Sequence, residues 1–145
     1  MCESWLDSDI LDNVVDVPEY VTYRRDRQDG RIGGGVACFV RVGLPCTRLT
    51  ELETADVEAL WLLYRNSRMP RNISHLLIAV IYHPPNANSF NTTSYIVDCL
   101  DKVIQKHPYV GIVIFGDFNC LNDRMLLSFP LKQTVRNATR QKHTG

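Results

Sequence analysis

The stretch VGIVIFGDFNC, from Val110 to Cys120, begins as an apolar run and changes abruptly to Gly-Asp-Phe-Asn. Because neither side of the run alternates to polar residues, it predicts a central strand that is buried on both faces of a sheet. Gly116 permits a change of chain direction. Asp117 and Asn119 then follow the carboxyl end of the strand, where open α/β sheets bind ligands. An Asx turn, in which either side chain bonds its own backbone, is an equally weighted alternative.

Two hairpins and an amphipathic helix precede this strand. Strands are predicted for four segments: Tyr20 to Arg25, Val36 to Val42, Val57 to Tyr64 and Ile73 to Tyr82. Apolar residues at three- and four-residue steps predict a helix between Ser89 and His107, which Pro108 ends. This order implies a mixed sheet packed by helices, in an α/β or α+β domain.

Length, charge and cysteine usage limit the class of protein. The 145 residues, of which 45% are hydrophobic, predict one domain with a buried core. Sixteen basic and sixteen acidic residues cancel, so no global positive field attracts nucleic acid or an anionic membrane. Five cysteines without a C-x-x-C pair argue against a zinc site or a disulfide scaffold. No apolar run approaches the roughly 20 residues of a membrane span, which favours a soluble protein in a reducing compartment.

Charge is distributed unevenly along the chain. Met1 to Glu19 contains six acidic and no basic residues, whereas Arg124 to Gly145 contains five basic and no acidic residues. One end would repel phosphates and the other would attract them, although solvated charged faces are the favoured explanation.

Functional groups stand at the ends of three predicted strands. Tyr82 ends an apolar strand before a Pro-Pro-Asn turn, Glu3 follows what would be the last residues of a strand at the start of the chain, and Asp117 follows the last strand. Each has an ordinary explanation as a half-buried aromatic, a surface acid or a turn former. Their occurrence together favours a functional site.

Four motifs occur in a fixed order: Glu3-Ser4-Trp5-Leu6, Tyr23-Arg24-Arg25-Asp26-Arg27 followed by Gly33-Gly34-Gly35-Val36, Ile81-Tyr82-His83-Pro84-Pro85, and Gly116-Asp117-Phe118-Asn119. In order and spacing they resemble the endonuclease/exonuclease/phosphatase family, above all the AP-endonuclease-like domain of LINE-type (non-LTR) retrotransposons. The resemblance implies a DNase I-like fold, a two-sheet α/β sandwich flanked by helices. Its active site would lie at the edge where strand ends converge.

The resemblance also implies metal-dependent hydrolysis of phosphodiester bonds in DNA. A phosphodiester repels an anionic nucleophile, so the reaction needs a cation and a base. Glu3 matches the family's metal-binding glutamate, and Mg²⁺, with Mn²⁺ as the alternative, suits a site of one or two carboxylates. Asp117 matches the aspartate that orients or deprotonates water, and Asn119 the amide that positions water or phosphate. Tyr82 matches the tyrosine that hydrogen-bonds the phosphate or the leaving oxygen.

Substrate contacts are expected from three arginines of the first hairpin, Arg24, Arg25 and Arg27, and from Thr139, which resembles a substrate-contacting threonine. The favoured alternative for the arginines is pairing with Asp26 and Asp29 on a solvated hairpin. His83 has no counterpart in the motif and is expected to be a loop residue.

Parts of the family pattern fall outside residues 1–145. The family's first strand with its asparagine would precede Met1, and later strands with a further aspartate and a Ser-Asp-His motif would follow Gly145. We therefore expect a partial, incomplete domain, with an inactive remnant that at most binds nucleic acid, or a phosphomonoesterase of the same fold, as alternatives. The implied partners are DNA and a fused or neighbouring reverse transcriptase, with no membrane. The implied location is intracellular, with the nucleus as one option.

Overall fold

The computed structural model describes residues 1–2, 4–6, 9–27 and 33–134. Its strands are β1 (Tyr20–Arg25), β2 (Val36–Arg41), β3 (Cys46–Arg48), β4 (Glu58–Tyr64), β5 (His75–Tyr82) and β6 (Val110–Asp117), and helix α1 spans Ser89–Lys106. Short 3-10 helices lie at Asp12–Val14, Thr50–Leu52 and Arg124–Ser128. Strands β1 and β2 form an antiparallel hairpin, and the others form a sheet in the order β3-β4-β5-β6. The predicted strands and helix are confirmed, and β3 was not predicted.

The four-stranded sheet is the middle layer of the described structure. Alternate side chains of a strand point to opposite faces of its sheet. On one face, Trp61 and Ala79 pack with Ile96 of α1. On the other face, Leu60 and Val80 pack with Val36 of the hairpin. The hairpin and the helix therefore cover opposite faces, and this layering confirms the predicted α/β class.

Helix α1 begins and ends where the sequence predicts. The side chain of Asn88 caps its start by accepting hydrogen bonds from the backbone N–H groups of Phe90 and Asn91. The helix ends at Lys106, and Pro108 follows. Its buried positions recur at three- and four-residue steps: Thr92, Thr93, Ile96, Cys99, Leu100 and Val103. No helix of the described residues is long and apolar enough to cross a membrane.

The prediction that β6 is a central strand buried on both faces is wrong for the described residues. It pairs in parallel with β5 along one edge, and no described strand pairs with its other edge. Its side chains are half-buried or exposed, and Phe115 is 57% exposed. The apolar composition indicates a strand, but burial depends on neighbouring elements that a single segment does not encode.

Candidate active site at one edge of the sheet

Tyr82 and Asp117 lie side by side at the carboxyl ends of two parallel strands. They are register partners in β5 and β6, so their side chains project toward the same face. The N–H of His83 donates to the carbonyl oxygen of Asp117 at 2.9 Å and extends the pairing beyond the strand ends. Tyr82 is only 5% exposed, whereas the side chain of Asp117 is exposed. The fold thus places a buried phenol beside an accessible carboxylate.

The loop after β6 brings Asn119 back toward this pair. The carboxylate Oδ1 of Asp117 accepts a hydrogen bond from the N–H of Asn119 at 3.1 Å, which is the Asx turn considered from the sequence. Asn119 has φ +43°, a left-handed conformation that asparagine tolerates better than most residues. Its side-chain amide donates to the carbonyl oxygen of His83 at 2.8 Å. The Asx turn therefore fixes the orientation of the Asp117 carboxylate, and the bond to His83 fixes that of the Asn119 amide.

Gly116 lies within β6 rather than at the predicted change of chain direction, and the close approach of β6 to β5 requires it. A Cβ atom at this position would collide with the carbonyl oxygen of Ile81. The absence of a side chain allows the strands to stay paired up to Tyr82 and Asp117.

Glu58 is a third polar residue in the same row, and sequence reasoning missed it. It is the register partner of Tyr82 on the opposite side, in antiparallel β4. Adjacent strands are about 4.8 Å apart, so Glu58, Tyr82 and Asp117 form one row across three strands. The carboxylate of Glu58 accepts hydrogen bonds from Arg27 at 2.9 and 2.6 Å, and from the N–H of Gly35. Because Arg27 precedes Glu58 by 31 positions, no local pattern signals this pair.

All three predicted substrate-binding arginines hold ion pairs within the chain. Arg24 lies 3.1 Å from Asp26, as the favoured alternative predicted. For Arg25 and Arg27 the described partners are Glu53 at 2.9 Å and Glu58 at 2.6 Å rather than the aspartates of the hairpin. Asp29, the other predicted partner, lies outside the described residues. Contact of Arg24 and Arg25 with DNA stays a prediction.

His83 lies in the loop after β5, but it is fully buried rather than solvated. Its Nδ1 lies 3.1 Å from the hydroxyl oxygen of Thr92 on α1, and its Nε2 has no hydrogen-bond partner among the residues that the structure describes. Burial lowers the pKa of His83, because a charged imidazole would lose its hydration. The residue thus joins α1 to the backbone groups that hold Asp117 and Asn119.

A pocket of about 440 Å³ opens beside Tyr82. One wall is formed by Arg25, Asp26 and Arg27, and the others by the segment around Glu58 and the turn after β5. A larger pocket of about 510 Å³ lies at the opposite end of the sheet, near Arg65 and His75. None of the predicted site residues lines this second pocket, whereas Tyr82 and Arg25 line the first. Asp117 and Asn119 line neither of the two.

Glu3 and Thr139, the predicted metal ligand and substrate-contacting threonine, lie outside the described residues. The residues that flank Glu3 are described. The thiol of Cys2 lies 3.4 Å from the carbonyl oxygen of Ile81, and the N–H of Ser4 donates to the carbonyl oxygen of Gly35. Within the described part of the chain, no group of three or more His, Cys, Asp or Glu residues could hold a metal ion. The metal prediction therefore depends on Glu3 and stays a prediction.

Comparison with known proteins supports the fold assignment. No family of related sequences and no curated protein matches the chain. The endonuclease domain of TRAS1, a telomere-specific non-LTR retrotransposon, is structurally similar with a TM-score of 0.52 and 15% sequence identity. The match covers 71% of this chain and 42% of that chain. The chain therefore shares the α/β fold of a retrotransposon endonuclease domain over less than half of that domain's length, which confirms the predicted resemblance in fold.

Proposed function

We propose that the chain is a metal-dependent phosphodiesterase, a DNA endonuclease domain derived from a retroelement. One observation carries the proposal: Tyr82, Asp117 and Asn119, from two separate motifs, converge at one edge of the sheet. The fold similarity to a retrotransposon endonuclease domain supports this choice among hydrolytic functions. DNA is accordingly the proposed substrate, and a reverse transcriptase is the proposed neighbour in the parent element.

Each of the three side chains can take a defined part in hydrolysis. The exposed carboxylate of Asp117, held by the Asx turn, would orient or deprotonate the attacking water. The amide of Asn119 has two N–H donors and one oxygen, and a single donor is engaged by His83. The second N–H and the oxygen of that amide can position the water or a phosphate oxygen. The phenol of Tyr82 would donate to the phosphate or to the leaving oxygen.

A divalent cation is part of the proposal, with Glu3 as its ligand and the carboxylate of Asp117 close to the same ion. Mg²⁺ is held in proteins by one or two carboxylates and retains several waters, so the exposed carboxylate of Asp117 together with that of Glu3 would suit it. Mn²⁺ prefers similar oxygen ligands. When bound, the cation would neutralise negative charge on the phosphate.

Nicking of supercoiled plasmid tests the proposal. We expect the purified chain to nick plasmid in Mg²⁺, EDTA to stop the reaction, and Asn119→Ala to weaken it. Asp98→Ala is the matched control, because Asp98 lies on the exposed side of α1. Salt-sensitive DNA binding without nicking at any Mg²⁺ concentration would contradict the proposal and favour an inactive nucleic-acid binder. Activity on phosphomonoesters with none on plasmid would favour a phosphomonoesterase.

A further inference from the structure

Arg27 is bound tightly within the protein beside the candidate site. Its Nε and Nη2 both donate to one carboxylate oxygen of Glu58, at 2.9 and 2.6 Å. The side chains of Arg27 and Glu58 are 11% and 14% exposed. A charged pair that is so well shielded from water is held far more firmly than a surface salt bridge. The guanidinium of Arg27 therefore has a fixed position.

The glycine-rich segment shapes the space for this guanidinium. A Cβ atom on Gly34 would lie 2.5 Å from the guanidinium carbon of Arg27, closer than real contacts allow. The N–H of the next residue, Gly35, donates to the same carboxylate of Glu58. The glycines, Glu58 and Arg27 thus form one packed unit. Besides allowing a turn, the triple glycine therefore leaves room for the guanidinium of Arg27 and supplies a backbone donor to Glu58.

The unit covers the ring of Tyr82. The guanidinium carbon of Arg27 lies over that ring, 5.8 Å from its centroid, within the range of a cation–π interaction. The ring also packs with Val36 and Leu60 in the layer between the hairpin and the sheet. Glu58 is the cross-strand register partner of Tyr82 as well as the acceptor for Arg27. The ring of Tyr82 is therefore flanked by Glu58 on the neighbouring strand and by the guanidinium of Arg27 on the hairpin side.

We propose that Glu58 and Arg27 are positioning residues that fix the ring of Tyr82, so that its phenol is presented to the substrate phosphate. The proposal rests on the nuclease function proposed above. Because the charge of Arg27 is matched by Glu58, the role of Arg27 is to orient Tyr82 rather than to attract DNA. Orientation of a reacting group acts on the chemical step more than on binding of the substrate.

The kinetic test compares Arg27→Met, Arg27→Lys and Glu58→Gln with Arg41→Met. Arg41 is a matched control, because it lies in the same hairpin and its ion pair with Glu19 is largely exposed. We expect Arg27→Met and Glu58→Gln to lower kcat for plasmid nicking by about 10-fold to 100-fold, with KM nearly unchanged. Lysine keeps the charge but cannot donate the two hydrogen bonds of the planar guanidinium, so kcat of Arg27→Lys should lie between those of Arg27→Met and the unmodified chain. Arg27→Met combined with Tyr82→Phe should be no slower than Tyr82→Phe alone.

A measurement without turnover separates this proposal from the nuclease proposal. With 3-fluorotyrosine at position 82, we expect the ¹⁹F resonance to shift in folded Arg27→Met and Glu58→Gln and to stay unchanged in Arg41→Met. If the unmodified chain nicks no DNA but the resonance shifts, the nuclease proposal fails and the positioning of the ring stands. An unchanged resonance in both variants would overturn the positioning proposal. A raised KM with unchanged kcat in Arg27→Met would also overturn it, because Arg27 would then act in DNA binding.

Discussion

The side-chain amide of Asn119 donates to the carbonyl oxygen of His83, 36 residues earlier in the chain, at 2.8 Å. This bond joins the loop after β6 to the loop after β5. It works together with the hydrogen bond from the N–H of His83 to the carbonyl oxygen of Asp117. The polar groups of the candidate site are therefore held by the backbone of a residue that has no proposed chemical role.

Asn119 can be tested with two substitutions that remove the same amide. Asn119→Gly and Asn119→Ala both lose the bond to His83, which should cost about 1 kcal/mol of unfolding free energy. Alanine should cost about 1 kcal/mol more, because φ is +43° at this position. Urea denaturation measures the difference. Both variants should also nick plasmid about 100-fold more slowly, since each lacks the amide. Equal stability of the two variants would contradict the left-handed conformation.

Gly34 and Gly43 form a second matched pair. Both have positive φ, +82° and +87°, so alanine is strained at either position. A Cβ atom on Gly34 would meet the guanidinium of Arg27, whereas one on Gly43 would meet nothing within 4 Å. We expect Gly34→Ala to lower the free energy of unfolding by about 1 to 3 kcal/mol more than Gly43→Ala. Equal losses in thermal or urea denaturation would show that the guanidinium of Arg27 is not confined there.

Tyr95 links the sheet to the helix through a buried hydroxyl. This hydroxyl accepts from the indole N–H of Trp61 at 2.8 Å and donates to the carbonyl oxygen of Leu52 at 2.7 Å. Burial raises the pKa of Tyr95. Tyr95→Phe leaves the indole and the carbonyl without this partner, so it should lower the free energy of unfolding by about 1 to 3 kcal/mol. The control Tyr109→Phe alters an exposed ring, so its free energy of unfolding, measured by urea denaturation, should change little. Equal losses in the two variants would contradict the role of the Tyr95 hydroxyl as a buried link.

Burial of His83 predicts loss of stability in mild acid. Its pKa is lowered from the ordinary value of 6.5 in the folded state, so the unfolded chain binds more protons below that pH. The stabilising contribution is present above about pH 6.5 and is lost as the pH falls toward the folded pKa. The pKa of His75 is also lowered, by burial and by the nearby His107, and adds an effect of the same sign.

The measurement is the urea midpoint between pH 7.5 and 5 for the unmodified chain and for His83→Asn. Asparagine keeps a polar group near Thr92 but does not titrate. The variant should be less stable at pH 7.5 and should lose less stability on acidification. An identical pH dependence in both proteins would show that His83 is not the titrating group.

The sequence predicted local elements well, because their signals are local. The period of apolar residues and Pro108 are enough to place α1, and Gly116-Asp117 marks the end of β6. The convergence of Tyr82 and Asp117 was predicted from strand ends and family resemblance, and their register confirms that they are neighbours. The short strand β3 was missed because three residues carry too little periodic pattern.

Long-range properties were not predictable in the same way. Burial of His83 depends on the packing of α1 over the loop, and a histidine beside two prolines gives no sign of it. The pair between Arg27 and Glu58 joins the hairpin to β4, and each residue alone is typical of a solvated surface. The position of β6 at the edge of the described sheet depends on which strands lie beside it. These features are set by contacts between residues that are distant in sequence, so the pattern within a single segment does not indicate them.

The rate at which Asp117→Asn nicks supercoiled plasmid, under single-turnover conditions in Mg²⁺, tests the central claim most directly. Asparagine keeps the shape of the side chain and an acceptor for the N–H of Asn119, but it removes the charge that would activate water. We predict a loss of about 100-fold to 10,000-fold with DNA binding retained, and a rate near that of the unmodified chain for Asp98→Asn. Nicking by Asp117→Asn at the unmodified rate would contradict the claim that this edge of the sheet is the active site.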